Sequence, residues 1–171
     1  IYLNQGDLNA SASEYAKAFE LYKGLYGEEH PSTIEIVGRI ARINEKKGQL
    51  GKAEKGYRKA LALNRKTLND SHPDVVKSIN NLGLMLISKG AYSEADSLLN
   101  EALEKLVSIH GESHSRIAIA LNNLATNHFK QGHYQLALVA LERSLEVLIN
   151  VYGDHHIEVA KRIGEVGKMH R

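Results

Sequence analysis

The chain repeats itself every 42 residues. Gly6, Gly48, Gly90 and Gly132 stand 42 apart, and His30, His72, His114 and His156 keep the same step. Ala18, Ala60 and Ala102 keep it too, with Ser144 in the fourth slot, and so do Ala53, Ala95 and Ala137, with Ser11 in the first. Unrelated residue types holding one period mark a solenoid, in which each unit buries its apolar face only against its neighbours. Such an array works by presenting a long surface to another molecule, so enzyme chemistry is disfavoured from the outset.

One unit shows how the chain folds locally. From Pro73, well placed as a first helical residue, Val76, Ile79, Leu82, Gly83 and Leu86 recur at steps of three and four. That is the pattern of an amphipathic helix. Gly90 ends it, and a second helix carries Tyr92, Ala95, Leu98, Leu99, Ala102, Leu103 and Leu106 on its apolar side. Each unit is a helical hairpin. The spacing predicts helices over 8–26, 31–47, 50–68, 73–89, 92–110, 115–131, 134–152 and 157–169. The turn between hairpins holds Gly27, Asn69, Gly111 and Gly153. Glycine replaced only by asparagine predicts a left-handed residue at all four. Ala53, Ala95 and Ala137 are expected where paired helices cross, and Tyr15, Tyr57, Tyr92 and Tyr134 at packing positions.

The segment Ile1-Tyr2-Leu3-Asn4-Gln5 aligns with the last turn before Gly48, so the chain is expected to open at the end of a helix. It closes at Met169-His170-Arg171. Solenoid ends normally carry a polar cap, and neither end reads as one. The expectation is a single array over residues 1–171, about four units, cut from a longer protein.

Hydrophobic content of 43%, charged content of 25% and two prolines are ordinary for a folded domain. The absence of cysteine removes disulfides and thiolate chemistry together and fits a reducing, cytoplasmic setting. No apolar run approaches the roughly 20 residues that span a bilayer, so membrane insertion is not expected. A net charge of +2 does not call for nucleic acid. No phosphate-binding glycine loop or serine–histidine–acid arrangement occurs. Of the nine histidines, four recur at one turn of successive units and are too far apart to share an ion. They are expected to order the turn and begin the next helix. His155-His156 diverge, and His128 and His133 lack a carboxylate cluster, so neither a metal nor a cofactor is expected.

The order Leu82-Gly83, Gly90, Tyr92, Ala95 and Ala102 resembles the tetratricopeptide signature, and Leu124-Ala125, Gly132, Tyr134, Ala137 and Ser144 repeat it. The usual unit of that family has about 34 residues, so a longer unit adds about one turn to each helix. The long form is similar to that of kinesin light chains, where segments such as Ser71-His72-Pro73-Asp74-Val75-Val76, Ile79-Asn80-Asn81-Leu82-Gly83 and Leu121-Asn122-Asn123-Leu124-Ala125 recur. The resemblance implies an all-α, right-handed superhelical solenoid of antiparallel hairpins, whose concave groove receives an extended peptide. It also allows a cargo-adaptor role like that of the light chains.

The first helix of each hairpin has a second, polar face at steps of three and four. It holds Glu35, Gly38, Arg39, Arg42 and Lys46, then Lys77, Asn80, Asn81, Leu84 and Ser88. Further on it holds Ile119, Asn122, Asn123, Thr126 and Lys130, then Lys161, Gly164, Glu165 and Lys168. By resemblance, this face lines the groove. Seven basic residues stand there against two acids, Glu35 and Glu165, a net of +5 in a chain of net +2. Cationic residues attract an acidic peptide, and asparagine offers both donor and acceptor to a peptide backbone. The candidate binding residues are therefore Arg39, Arg42, Lys46, Lys77, Asn80, Asn81, Asn122, Asn123, Thr126, Lys130 and Lys161. The expected partner is an acidic protein segment. Self-association through the terminal helices, as an assembly or regulatory spacer, is the alternative.

Overall fold

The computed structural model describes residues 5–169, with side chains from Asp7 onward. The opening segment up to Asn4, and His170 and Arg171, lie outside the described residues. Among the described residues eight α-helices follow one another with short turns: α1 Gln5–Tyr26, α2 Pro31–Lys46, α3 Leu50–Thr67, α4 Pro73–Lys89, α5 Tyr92–His110, α6 Ser115–Lys130, α7 Tyr134–Tyr152 and α8 Ile157–Met169. The largest departure from expectation is at α1, which begins at Gln5 and runs straight through Gly6. The glycine that keeps register with the turns of later units is helical here.

Two compact units divide after Lys89. In the first, α2 packs against α1 and α3, and α3 against α4. Ile34, Val37 and Ala60 form a buried cluster flanked by Phe19 and Leu63. At the crossing of α2 and α3, a β-carbon added to Gly56 would lie 2.8 Å from the Ala41 methyl, which is itself fully buried. The two backbones approach so closely that only hydrogen fits. Gly56→Val should therefore cost about 1–3 kcal/mol through overpacking. An unchanged urea midpoint would show that the helices part freely.

In the second unit α6 packs against α5 and α7, and α7 against α8. Leu99 and Ile117 are wholly buried and Val159 nearly so. Ser144 stands where the other units have alanine; it is buried, and its hydroxyl donates to the Ala118 carbonyl at 2.8 Å. A polar atom is tolerated there because it is hydrogen-bonded.

Two expectations are corrected. Gly111 (φ 74°, ψ −179°) and Gly153 (φ 79°, ψ 165°) lie in a region essentially reserved for glycine, not in the left-handed helical well. Asn69 has no positive φ. Its β-carbon bars it from that region, so α3 stops at Thr67 and the extended Leu68 (φ −124°, ψ 157°) makes the bend. Tyr134, expected to pack, is 59% exposed and meets only the edge of Phe129, with centroids 5.4 Å apart. Tyr57 does pack, and is buried.

The repeated histidines begin the helices that follow them. Nδ1 of His30, His72, His114 and His156 accepts from the backbone N–H of Ser32 (3.3 Å), Asp74 (3.2 Å), Arg116 (3.1 Å) and Glu158 (3.2 Å). Three of these rings stack on the residue four before: Tyr26 at 4.8 Å, His110 at 4.1 Å and Tyr152 at 4.3 Å. A ring nitrogen that accepts carries no proton, which fixes the tautomer of each capping ring.

Burial first, then the charges of His114 and Arg116, hold His110 below the usual imidazole range. The unfolded chain then takes up the proton first, and stability falls as pH drops through about 6.5. Glu28, Glu54 and Glu158 are held low chiefly by Lys59, by Lys89 with Arg58, and by Lys161. Their contributions are lost only at still lower pH. The melting temperature should therefore drop as pH falls through about 6.5. His110→Gln, which takes up no proton there, should shallow that slope. Parallel pH profiles for the two proteins would refute the part played by His110.

Candidate functional site

In the first unit a cavity of about 340 Å³ opens between α2 and α4. Ser32, Glu35, Gly38, Arg39 and Arg42 line it from α2, and Asp74, Lys77, Ser78 and Asn81 from α4. Tyr57, Ala60 and Asn64 of α3, all buried, make its floor. The three-and-four periodicity of α2 and α4 is what turns these polar residues, the buried Ser78 excepted, away from the core.

Arg39 is tied down. Its Nε and Nη2 converge on Glu35 Oε1 at 3.1 and 2.6 Å, and Nη1 donates to the Tyr15 hydroxyl at 3.4 Å. The Glu35 carboxylate, chiefly by hydrogen bonding, holds this guanidinium firmly protonated. On the floor, the Tyr57 hydroxyl donates to Glu45 Oε2 at 3.0 Å. Burial, with the Glu45 charge second, pushes the Tyr57 pKa up, so the phenol stays neutral. Asn64 Nδ2 donates to Ser78 Oγ at 2.8 Å and to the Asp74 carbonyl at 3.3 Å. The side chains of Arg42, Lys77 and Asn81 make no hydrogen bond or ion pair with the described residues.

Four candidates thus meet at one cavity: Arg39, Arg42, Lys77 and Asn81. Lys46 and Asn80 lie outside its lining. In the second unit the candidates are engaged differently. Asn123 is buried at 8% exposure, and Thr126 Oγ1 bonds back to the Asn122 carbonyl at 2.9 Å. Lys161 pairs with Glu158 at 2.6 Å, and Lys130 is exposed. Asn122 Oδ1 accepts from Arg162 Nη1, which also reaches Glu165 Oε2 at 2.7 Å. A shift of 84 residues superposes the register of the two units, so Arg162 stands where the first has Ser78, and Asn122 where it has Gly38. Two small residues leave room in the first unit; two large ones reach across the same interval in the second. Burial lowers the Arg162 pKa, against the pull of Glu165 and Glu158.

Tyr57, Asn64 and Ser78 are the lining residues that periodicity alone passes over, because they sit in core register. A signal for two of them exists. Asn64 stands where later units carry Leu106 and Leu148, and Ser78 where the first and third inner helices carry Ile36 and Ala120. Paired polar replacements in apolar register mark partners. No cluster of three histidine or acidic side chains able to hold a metal occurs among the described residues. No helix among them is long and apolar enough to cross a membrane.

The family model for the tetratricopeptide repeat matches residues 1–62, 32–106 and 107–171. No curated protein matches the chain. Among solved structures, BtubC (BKLC) from P. vanneervenii is similar at TM-score 0.84 and 22% identity over 97% of this chain, which spans 66% of that protein. A putative kinesin light chain of Podospora anserina, with nearly identical repeats, is similar at TM-score 0.84 and 20% identity, over 99% of this chain and 80% of that one. The N-terminal domain of stress-induced protein-1 from C. elegans is more distant, at TM-score 0.59 and 18% identity over 82% of this chain and 96% of that one. With its helical hairpins, its long repeat and a family model covering it end to end, the chain belongs to the tetratricopeptide-repeat family and shares the solenoid fold of its kinesin light chain-like neighbours.

Proposed function

We propose that this protein is a non-catalytic interaction scaffold that holds an extended acidic peptide segment in the groove between α2 and α4. Repeats of this family serve as protein-interaction scaffolds, and the acidic character of the guest comes from the charge of the groove. The observation that carries it is the pair of cations, Arg42 and Lys77, facing the cavity without a partner among the described residues. Elsewhere in this unit Lys59 pairs with Glu28, Lys66 with Glu29, and Lys89 with Glu54. Unanswered positive charge beside a polar cavity favours an anionic guest. Arg39 and Asn81 add donors for its backbone. A cytoplasmic setting and a cargo-adaptor role, like that of a kinesin light chain, belong to the same reading.

Fluorescence anisotropy with a labelled ten-residue peptide of alternating aspartate and alanine tests this. Micromolar binding is expected, weakening steadily from about 50 to about 300 mM salt as the charges are screened. Equal affinity for the lysine–alanine counterpart would sink the reading, as would no binding at low salt.

A second reading, self-association, draws support from exposed apolar side chains: Leu21 and Leu25 of α1 at 65% and 72%, and Ile157 and Ile163 of α8 at 62% and 52%. Light scattering across a dilution series separates the two, since only this one makes mass rise with concentration in the absence of peptide.

A further inference from the structure

The polar groups around the cavity are unevenly committed. Glu35 is spent on Arg39, the Tyr57 hydroxyl on Glu45, and both Asn64 donors on α4. What remains is rich in donors: the guanidinium of Arg42, the ammonium of Lys77 and the amide of Asn81. The one uncommitted carboxylate of the lining, Asp74, lies in the first turn of α4, against His72 at 3.8 Å and half exposed to solvent. Lys77 follows one turn after Asp74 on α4, and Arg42 and Asn81 stand two to three turns along their helices. An anion is therefore drawn to the stretch of the cavity between Lys77 and the middle of α2.

A single carboxylate neutralises only one of the two free cations and leaves the other facing the cavity. A phosphorylated side chain carries about two negative charges near neutral pH and three acceptor oxygens, which matches two cations and a neutral donor. A planar guanidinium also grips phosphate through two parallel bonds. We propose that the cavity between α2 and α4 is the seat of a phosphorylated serine or threonine of the bound peptide, with Arg42 and Lys77 as its cationic contacts and Asn81 as a neutral donor. This deepens, and rests on, the reading of the groove as a peptide site.

The test is an amide-resolved NMR titration of the intact chain with three probes: N-acetyl-O-phosphoserine methylamide, N-acetyl-glutamate methylamide and inorganic phosphate. The phosphoserine probe is expected to shift amides of α2 and α4 around Gly38, Arg42 and Asn81, with an affinity at least about tenfold above that of the glutamate probe. Arg42→Ala and Lys77→Ala should each lose that preference, and Arg42→Lys should restore only part of it. Both positions are exposed, and the spectrum of each variant reports its fold directly. Equal affinity for the phosphoserine and glutamate probes would overturn the phosphate assignment while leaving the acidic-peptide reading intact. Inorganic phosphate binding as tightly as phosphoserine would overturn it in favour of a free anion. Shifts confined to other helices, or none with any probe, would overturn both readings.

Discussion

Asn127→Asp should cost about 3–5 kcal/mol, although it exchanges one nitrogen for one oxygen. The side chain has no exposure; its Nδ2 donates to the Tyr92 carbonyl at 3.1 Å and to Asp96 Oδ1 at 3.2 Å. Aspartate would turn acceptors toward acceptors and place a second negative charge beside Asp96 in a site without water access. Burial and that like charge would raise its pKa in the fold, so the penalty is full at neutral pH and eases as acid protonates the new carboxyl. Urea unfolding at two pH values reads both the size and the sign. A loss below about 1 kcal/mol would mean that the site admits solvent. Asn127→Met, which installs the residue that stands 42 positions earlier at this register (Met85, wholly buried), should cost less, because it also removes the unpartnered Oδ1.

Reversing Arg42 and Lys77 to glutamate together should weaken binding of the aspartate–alanine peptide at least about a hundredfold at low salt. Like charges brought face to face cost several kcal/mol. Both side chains are exposed, so the melting temperature should move little. The same double variant should gain affinity for the lysine–alanine peptide, and both changes should shrink as salt rises. Lys130→Glu, on an exposed position of the second unit, is the control. If it weakened binding as much as the double reversal, attraction would reside in the net charge of the chain and not in the cavity.

The places where the two units differ show how far a sequence can be read. Pro73, Gly111 and the spacing of Ile79, Leu82 and Leu86 act within a turn or two of themselves, so helix limits fell within a residue or two except at α1. Gly6 failed because a glycine in turn register is only permissive: it allows a turn and does not compel one. Asn69 failed for a related reason. Its substitution for glycine reads as shared geometry, whereas the backbone had moved the bend to Leu68.

The sequence by itself determined the period, the hairpins, the capping histidines and the outward face of each first helix. Each rests on contacts between neighbours in the chain or between identical repeats. Only the tertiary structure decided which polar residues on that face are free. Arg39 and Arg42 look alike in sequence, yet Tyr15 of α1 helps to hold the first, and nothing described holds the second. Asn122 lies in the polar register of α6, yet Arg162 reaches it across 40 residues of chain. Whether a charge is spent or available depends on side chains that distant segments bring to it, and no periodicity encodes that.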